Sequence, residues 1–427
     1  MSERGERTEG GLPQPVPPGH LDDPYPYYET LRRSGAVQRS AGGQILVLGH
    51  SELSTALRDP SFVRSPPPGT AAPPEGDGWF DWLVAQCATA EGRRATLGLS
   101  RLWMINLDPP AHPPLRRAAV GGLATPVLSS LRPLVESTVA ALLDDMETRV
   151  RRDDRHVTDL MNEFALPLPA GVIAALLGVP EADRPRTIEL ARSLGPAIAG
   201  ESAIGEERLA AIDRASAATV ELAETFRALL RGAAGPPAGL LAHLAAAGLG
   251  EARIVAQAML LFFAGEETTA HWIGNGVAAL LAHAPAGTDP LRDPGSRAVA
   301  LEELLRFDSP VQFTFRRSLG GAVGGVPVPE GDYLVLMLGA ANRDPSKFDD
   351  PATLRLDRAP NPHVAFGSGL HGCVGAGLAR LEAEVAFGAL FERFPDLRAD
   401  GAPRRRPGAL LRGLERLPVK LSPDVGR

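Results

Sequence analysis

The stretch FGSGLHGCVGAGLAR, residues 366–380, sets the fold of the site, because it places Cys373 among five glycines and directly before a helical segment. Glycines let a backbone approach a flat ligand closely. A cysteine at the start of a helix meets free backbone N–H groups and the positive end of the helix dipole, which favour the thiolate. The stretch predicts a thiolate metal ligand, with a buried structural cysteine as the alternative.

The same loop also contains a dinucleotide-binding pattern in Gly367, Gly369 and Gly372. A phosphate-binding loop of that type must be followed by a helix and then by a second parallel strand. The segment after the helix is PDLRADGAPRRRPG, residues 395–408, which is not a buried strand. The sequence therefore disfavours nicotinamide or flavin dinucleotide binding at this loop.

Composition limits the class of protein. The chain has 427 residues with 44% hydrophobic content, enough for a large core. A net charge of −7 and the lack of a basic run argue against nucleic-acid binding. We find neither a signal core near the N-terminus nor a long apolar run, so we expect no membrane association and a cytoplasmic location. Cys87 and Cys373 do not make a disulfide framework.

The pattern along the chain predicts one mainly α-helical domain with small β-sheets over residues 19–427, after a flexible segment at 1–18. GGQILVLG indicates a strand that is followed by a helix, and short strands are expected near 325–337. A proline- and glycine-rich loop is predicted at 65–78. Long helices are predicted at about 127–150, 157–177, 208–231 and 250–283.

The cysteine loop resembles the heme-binding signature of cytochromes P450, Phe-Gly-x-Gly-x-His-x-Cys-x-Gly followed by Leu-Ala-Arg. Further motifs of that family are matched, in family order, by DPPAHPPLRR (108–117), AGEETT (264–269), EELLR (302–306), AANRDP (340–345) and NPHVAFG (361–367). The resemblance covers nearly the whole chain from about residue 18. It implies the cytochrome P450 fold of the bacterial branch.

The resemblance implies that the cofactor is heme b, with Cys373 as the axial ligand of the iron. It places further heme contacts at Gly265 and Phe366. The positions that match the propionate-binding residues of the family are His112, Arg116, Arg316 and His371. Arg317 is the alternative to Arg316 in that register.

Glu303 and Arg306 are three residues apart and share one helix face. An exposed pair at this spacing would contribute a few tenths of a kcal/mol. The family resemblance implies instead a buried group, completed by Arg358, that supports the cysteine loop.

The resemblance assigns proton delivery to Glu267 and Thr268 in AGEETT, with Glu266 as a structural or solvent-facing acid. A threonine within a helix also bonds back to the carbonyl four residues earlier, here Ala264, and that contact is the purely structural interpretation of Thr268. An intact acid–alcohol pair favours O₂-dependent monooxygenation over peroxide-driven or dehydrating branches.

Alignment with family regions predicts the substrate-contacting residues Leu260, Phe263, Ala264, Thr314 and Leu411. Trp79, Trp82 and Trp103 either touch substrate or fix a long loop to the core, and the sequence does not separate these alternatives. We expect a mostly apolar pocket.

The function predicted from the resemblance is a monooxygenase that hydroxylates or epoxidises a largely apolar small molecule, as a natural-product tailoring step. Oxidative coupling or ring formation without oxygen insertion is the alternative within the family, and a non-catalytic heme protein is the rival class. Electrons are expected from NAD(P)H through a ferredoxin reductase and a ferredoxin. The ferredoxin is expected to dock near Arg117, Arg380 and Arg404–Arg406. We expect a monomer.

Overall fold

The computed structural model describes residues 15–64, 78–87, 98–152, 156–195, 206–283 and 289–421. The predicted flexible segment up to residue 14, and the proline-rich loop over 65–77, lie outside these residues. Val16 is 2% exposed and packs with Tyr25 and Tyr28. The chain has therefore joined the core before residue 18, where the flexible segment was predicted to end.

Helices dominate the described residues, as the sequence predicted. They are α1 Tyr25–Arg33, α2 His50–Ala56, α3 Trp79–Cys87, α4 His112–Gly121, α5 Thr125–Arg152, α6 Pro167–Leu176, α7 Arg184–Ser193, α8 Glu206–Leu230, α9 Gly239–Ala245, α10 Glu251–His283, α11 Pro294–Phe307, α12 Leu338–Ala341 and α13 Ala376–Arg393. Pro113 and Pro114 lie in the first turn of α4, where the missing N–H groups cost nothing.

The strands form small sheets, as predicted. They are β1 Val37–Arg39, β2 Ile45–Val47, β3 Phe62–Val63, β4 Val157–Asp159, β5 Thr314–Ser318, β6 Gly321–Val323, β7 Val326–Val328, β8 Tyr333–Leu336, β9 Arg398–Ala399, β10 Arg404–Arg405, β11 Leu414–Arg416 and β12 Pro418–Lys420. The largest sheet has the order β1-β2-β8-β5-β3, and β10 pairs with β11 as a hairpin.

One predicted helix is wrong in its first part. Residues Val157–Asp159 form a strand that pairs antiparallel with Pro418–Lys420, and the π-helical turn Met161–Ala165 separates this strand from α6. The strand partner lies about 260 residues further along the chain, so local periodicity could not reveal it.

The 33-residue helix α10, which we call the distal helix, runs through the core and packs against α6, α8, α11 and α13. Most of its side chains are buried, in agreement with the apolar pattern of its sequence. It positions the AGEETT segment inside the molecule. The cysteine loop immediately precedes α13, which packs on the same helix.

No single helix in the described ranges has the length and apolar character needed to cross a membrane. The bent pair His112–Gly121 and Thr125–Arg152 meets that test by length and composition when its two helices, which are 52° apart, are taken together.

Candidate active site

The cysteine loop is held by its own backbone. Cys373 N donates to Phe366 O at 2.8 Å and closes the loop. Gly367 and Gly369 have φ values of 66° and 69°, which L side chains rarely adopt. A Cβ at Gly369 would also lie 2.8 Å from the carbonyl oxygen of Leu57. The backbone path thus requires glycine at positions 367 and 369.

The backbone N–H groups of Gly375 and Ala376, at the start of α13, lie on the side of the Cys373 thiol and favour its thiolate form. Cys373 is exposed on the loop, but the protein atoms that surround its thiol desolvate the thiolate, and this raises the pKa of Cys373 above its usual value, against the lowering by these N–H groups and by Arg116 and Arg380. The start of the helix therefore lowers the pKa of Cys373, as predicted, but desolvation raises this pKa by more. Coordination to a metal ion deprotonates a thiol outright.

A buried ion-pair group supports the cysteine loop, as the family resemblance implied. Arg306 donates to both carboxylate oxygens of Glu303, and Arg358 Nε lies 3.1 and 3.0 Å from the same two oxygens. The exposed fractions are 0% for Glu303 and Arg306 and 5% for Arg358. The interpretation as an exposed i,i+3 pair is excluded.

Asn342 connects this group to the loop. Its carbonyl oxygen accepts a hydrogen bond of 2.8 Å from Arg306 Nη1, and its Oδ1 accepts one of 2.8 Å from the backbone N–H of Val364. Val364 in turn accepts from the N–H of Gly367 at 2.9 Å. The ion-pair group and the cysteine loop are thus joined through three hydrogen bonds.

Helix α4 and the cysteine loop bring together a first set of basic groups. The rings of His112 and His371 have centroids 4.6 Å apart, and His371 Nε2 lies 3.3 Å from Asp108 Oδ1. Arg116 Nη1 donates to Gly372 O at 2.8 Å. Burial, His371 and Arg116 lower the pKa of His112 to about 4. The buried Nδ1 of His112 has no hydrogen-bond partner among the described residues.

Strand β5 adds the second set. Arg316 is 3% exposed whereas Arg317 is exposed, so the burial of the side chains favours Arg316 over Arg317 in this register. Thr314 lies on the same strand face as Arg316, because side chains alternate along a strand. Its Oγ1 accepts a hydrogen bond of 2.8 Å from Arg64 Nη1, which also donates to Phe315 O at 2.9 Å.

These cations fit the two carboxylates of a heme. The described hydrogen bonds of Arg64 go to neutral oxygens, including Ile105 O at 2.5 Å. Burial and then Arg316 lower the pKa of Arg64 to about 9, and burial lowers that of Arg316 to about 10. Asp108 is the carboxylate that raises both pKa values. Two further carboxylates would offset the cost of burying these guanidinium groups.

Arg64 was missed by the sequence analysis. It follows the two-residue strand β3, which pairs with β5 (Phe62 opposite Ser318, Val63 opposite Arg317). That pairing joins segments about 250 residues apart. A single arginine in FVRSPPP gives no local signal of its partner, so only the strand pairing reveals its position beside Arg316.

The distal helix carries the predicted acid–alcohol segment. Thr268 Oγ1 donates to Ala264 O at 2.9 Å, the contact of the structural interpretation. A Cβ at Gly265 would lie 3.1 Å from Ile173 Cγ1 of α6, so this position admits little more than glycine. Phe263, Ala264, Gly265 and Thr268 are half-buried on a helix whose other side chains are largely buried.

The two neighbouring acids of the segment are both buried. Glu266 is 3% exposed and accepts a hydrogen bond of 2.5 Å from Arg192 Nε, so it does not face solvent. Burial raises the pKa of Glu266 to about 7, against the lowering by Arg192. Glu267 is 9% exposed, and its Oε1 accepts from Arg406 Nη1. Arg406 was predicted to face a ferredoxin, and this contact corrects that prediction.

The aromatic ring of Phe366 joins the cysteine loop to the distal helix. It meets the ring of Trp272 edge-on at 5.9 Å between centroids, and the guanidinium of Arg380 lies 4.5 Å from its centroid. Arg380 is also paired with Glu302 at 2.8 Å. The ring of Phe366, a predicted heme contact, therefore extends from the cysteine loop to α10.

The predicted substrate residues lie in three places. Leu260, Phe263 and Ala264 lie on the distal helix, and Leu411 lies in the turn of the β10–β11 hairpin, bridged to Val311. Thr314 instead belongs to the cation cluster through Arg64.

Two of the three tryptophans in question are core residues. Trp79 is 1% exposed and Trp103 is 3% exposed, while Trp82 packs at the edge of the same cluster. Trp79 Nε1 also donates to Glu251 Oε1 at 3.2 Å. These positions favour the interpretation that the tryptophans fix this segment to the core.

A cysteine on a glycine-rich loop, together with buried cations on and beside that loop, is the set of groups expected at a heme–thiolate site. Comparison with known proteins agrees. The cytochrome P450 family model matches residues 298–407, which include Cys373 and Glu303. The chain is 40% identical over 327 residues to cytochrome P450 107B1 of Saccharopolyspora erythraea, covering 74% of this chain and 76% of that protein.

Solved structures give the same result. P450BioI in complex with an acyl carrier protein bearing hexadec-9Z-enoic acid has a TM-score of 0.82, 30% identity and coverage of 95% and 100% of the two chains. The tirandamycin C-bound monooxygenase TamI has a TM-score of 0.78, 32% identity and coverage of 95% and 99%. The chain belongs to the cytochrome P450 family, in its bacterial branch. It is an oxidoreductase whose family binds heme through a cysteine thiolate, as the sequence predicted.

Proposed function

We propose that the chain is a monooxygenase that hydroxylates or epoxidises a largely apolar small molecule in natural-product biosynthesis. The observation that carries this proposal is the juxtaposition of Thr268 and the buried carboxylate of Glu267 on the distal helix, the helix that contacts the cysteine loop through Phe366. Oxygen insertion consumes protons, and an alcohol beside a carboxylate is suited to supply them.

Each group has a role in this mechanism. When bound, the heme with its thiolate ligand supplies the activation of dioxygen, since a thiolate pushes electron density toward the iron and favours O–O cleavage. Cys373 would be that ligand. Thr268 Oγ1 would pass protons into the pocket, and Glu267 would replace them from the protein side.

The basic residues would hold the propionates of the heme by charge-assisted hydrogen bonds. They are Arg64, His112, Arg116, Arg316 and His371. Their positions on α4, on β5, on the cysteine loop and directly after β3 would fix the cofactor from several independent elements.

The substrate is proposed to be apolar because the half-buried side chains on the distal helix, Phe263 and Ala264, are apolar, as is Leu411. P450BioI is described with a fatty acid on a carrier protein, and TamI with tirandamycin C. Molecules of that size and character support a tailoring role, by analogy with relatives.

We propose a ferredoxin as the electron donor, docking beside the cysteine loop. Arg117 is exposed on α4, the helix that Arg116 ties to Gly372, and the exposed apolar residues Val120 and Leu370 lie on α4 and the loop. Arg405 and Arg406 bind side chains of the distal helix, so we do not include them in the proposed ferredoxin-docking surface. We also propose a cytoplasmic monomer.

Salt dependence tests this docking surface. Attraction between charges weakens as the Debye length falls from about 10 Å at 0.1 M salt to about 3 Å at 1 M. Reduction by an acidic ferredoxin should slow with salt and with Arg117→Glu, but not with Arg33→Glu on α1. Reduction rates that change neither with salt nor with Arg117→Glu would contradict the proposed docking surface.

Labelled oxygen tests the reaction itself. A substrate is first selected from a compound library by its shift of the Soret band, and turnover is then run under ¹⁸O₂ with a surrogate ferredoxin and reductase. Product that carries one ¹⁸O atom supports monooxygenation. A label-free product that has lost hydrogen would show the coupling or ring-forming alternative instead.

A further inference from the structure

The distal helix presents an acceptor stripe, by which we mean Glu267, His271 and Asn275. These residues are four apart, so they lie on one helix face. All three are buried, with exposed fractions of 9%, 0% and 1%. Polar side chains in a buried helix need partners, because an unpaired buried polar group costs free energy.

The β10–β11 hairpin supplies these partners. Arg406 Nη1 donates to Glu267 Oε1 and to His271 Nε2, the latter at 3.0 Å. Arg405 Nη1 donates to Asn275 Oδ1 at 2.9 Å. Two consecutive arginines, the last residue of β10 and the residue after it, thus reach along the acceptor stripe.

The fit between hairpin and stripe is close. A Cβ at Gly413 would overlap the ring of His271, so a larger residue there would push the hairpin away. Asn275 Nδ2 also donates to Arg412 O at 3.0 Å. The hairpin is therefore fixed against the helix at both ends of the turn that joins its strands.

His271 acts as an acceptor in this arrangement. Burial, and after it the charges of Arg406 and Arg405, lower the pKa of His271 to about 3. The ring is neutral at physiological pH, so Nε2 can accept from Arg406 without charge repulsion. Arg406 is thereby held by two acceptors, which restricts the positions its guanidinium can take.

We propose that Arg406 is the positioning residue of the distal acid. It binds Oε1 of Glu267 and leaves Oε2, which has no hydrogen-bond partner among the described residues, as the oxygen that exchanges protons with the pocket. This inference rests on the proposed proton-delivery role of Glu267. Arg405 differs from Arg406 because it binds Asn275 and Asp308 and makes no described contact with Glu267.

A double-mutant cycle separates positioning from simple bracing of the hairpin. Arg406→Gln is made in the wild-type and Glu267→Gln backgrounds. Arg404→Gln is the control, since Arg404 lies two residues earlier in the same hairpin, has a side chain 72% exposed and pairs with Glu415. The probe is free hexadec-9Z-enoic acid, with a surrogate ferredoxin and reductase. The readouts are oxidised fatty acid and hydrogen peroxide formed per NADPH.

We expect Arg406→Gln to lower the product formed per NADPH roughly tenfold, which is a fraction of the full effect of general acid catalysis. Hydrogen peroxide per NADPH should rise. Both ratios should stay at the wild-type value in Arg404→Gln. The loss should vanish in the Glu267→Gln background. An equal loss in both backgrounds, or an unchanged ratio in folded Arg406→Gln holoprotein, would overturn the inference.

Further outcomes are also decisive. If Arg406→Gln does not fold, Arg406→Lys takes its place in the cycle; a smaller loss is expected because lysine keeps the charge without the planar fork. If Glu267→Gln itself leaves the ratio unchanged, both the proposed function of Glu267 and this inference fail. If Glu267→Gln lowers the ratio and Arg406 variants do not, only this inference fails. Absence of probe oxidation by a wild type that consumes NADPH and O₂ counts against both.

Discussion

Arg306 donates two hydrogen bonds to Glu303, from Nε to Oε2 at 2.6 Å and from Nη2 to Oε1 at 2.8 Å, and neither side chain is exposed. Breaking a buried ion pair by removing one partner costs about 3–5 kcal/mol. Glu303→Gln should therefore lower the free energy of unfolding by an amount in that range and reduce heme retention, as measured by denaturant titration of the holoprotein.

The matched control is Glu136→Gln on α5, since Glu136 makes an exposed i,i+4 pair with Arg132 at 3.6 Å. Exposed pairs are worth about 0–1 kcal/mol. Equal unfolding free energies for the two variants would show that the buried group does not support the proximal side.

Arg64 is expected to hold a heme carboxylate together with Arg316. A hydrogen bond to a charged group is worth about 1.5–3 kcal/mol, which corresponds to a tenfold or larger change in a rate or affinity. Arg64→Met should accelerate heme transfer to apomyoglobin by about that factor. Arg317→Met, on the exposed face of the same strand, should not. Identical transfer rates for Arg64→Met and wild type would contradict the assignment.

The buried carboxylate of Asp308 predicts a pH effect on stability. Burial alone would raise its pKa, but Arg412 and Arg405 lower it to about 2. Because the folded-state pKa lies below the unfolded one, the stabilisation is complete above the unfolded pKa of about 4 and is lost as the pH falls through 2.

Asp308→Asn removes this titration. The stability gap between wild type and Asp308→Asn should therefore shrink by up to about 2 kcal/mol as the pH falls from about 5 to about 2. Urea unfolding at several pH values measures the gap. A gap that stays constant with pH would mean that Asp308 does not carry the charge described.

Thr268 is expected to govern whether reduced oxygen reaches product. General acid assistance is typically worth about 10²–10⁴-fold, so Thr268→Ala should lower product per NADPH by at least about tenfold while NADPH use continues and peroxide rises. Glu267→Gln should slow the whole cycle and also lower the product formed per NADPH. Thr269→Ala, next to it and buried, is the control.

Two substrates are needed for that test, because a substrate with its own hydroxyl near the iron could replace the alcohol of Thr268. If the product-to-NADPH ratio of Thr268→Ala equalled that of wild type for both, Thr268 would be only the residue that bonds back to Ala264.

Local sequence patterns were enough to predict several parts of this architecture. The distal helix was predicted at 250–283 and spans Glu251–His283, because its apolar periodicity is unbroken. The cysteine loop was predicted because its glycines and Cys373 are contiguous. The Glu303–Arg306 pair follows from a spacing of three on one helix.

Contacts between distant segments could not be predicted in the same way. The strand Val157–Asp159 depends on a partner near the C-terminus, and Arg64 depends on the pairing of β3 with β5. The run of arginines at 404–406 resembled a surface patch, yet Arg406 reaches Glu267, 139 positions earlier in the chain. The spacing of Glu267, His271 and Asn275 was the available signal of that contact.

The ferrous carbonyl spectrum tests the central claim, that Cys373 binds heme iron as a thiolate. Wild type and Cys87→Ser, which alters the other cysteine of the chain, should both show the strongly red-shifted Soret band of a thiolate-ligated carbonyl complex. Cys373→Ser should lose that band or fail to hold heme. A Cys373→Ser protein that kept the red-shifted band would contradict the account.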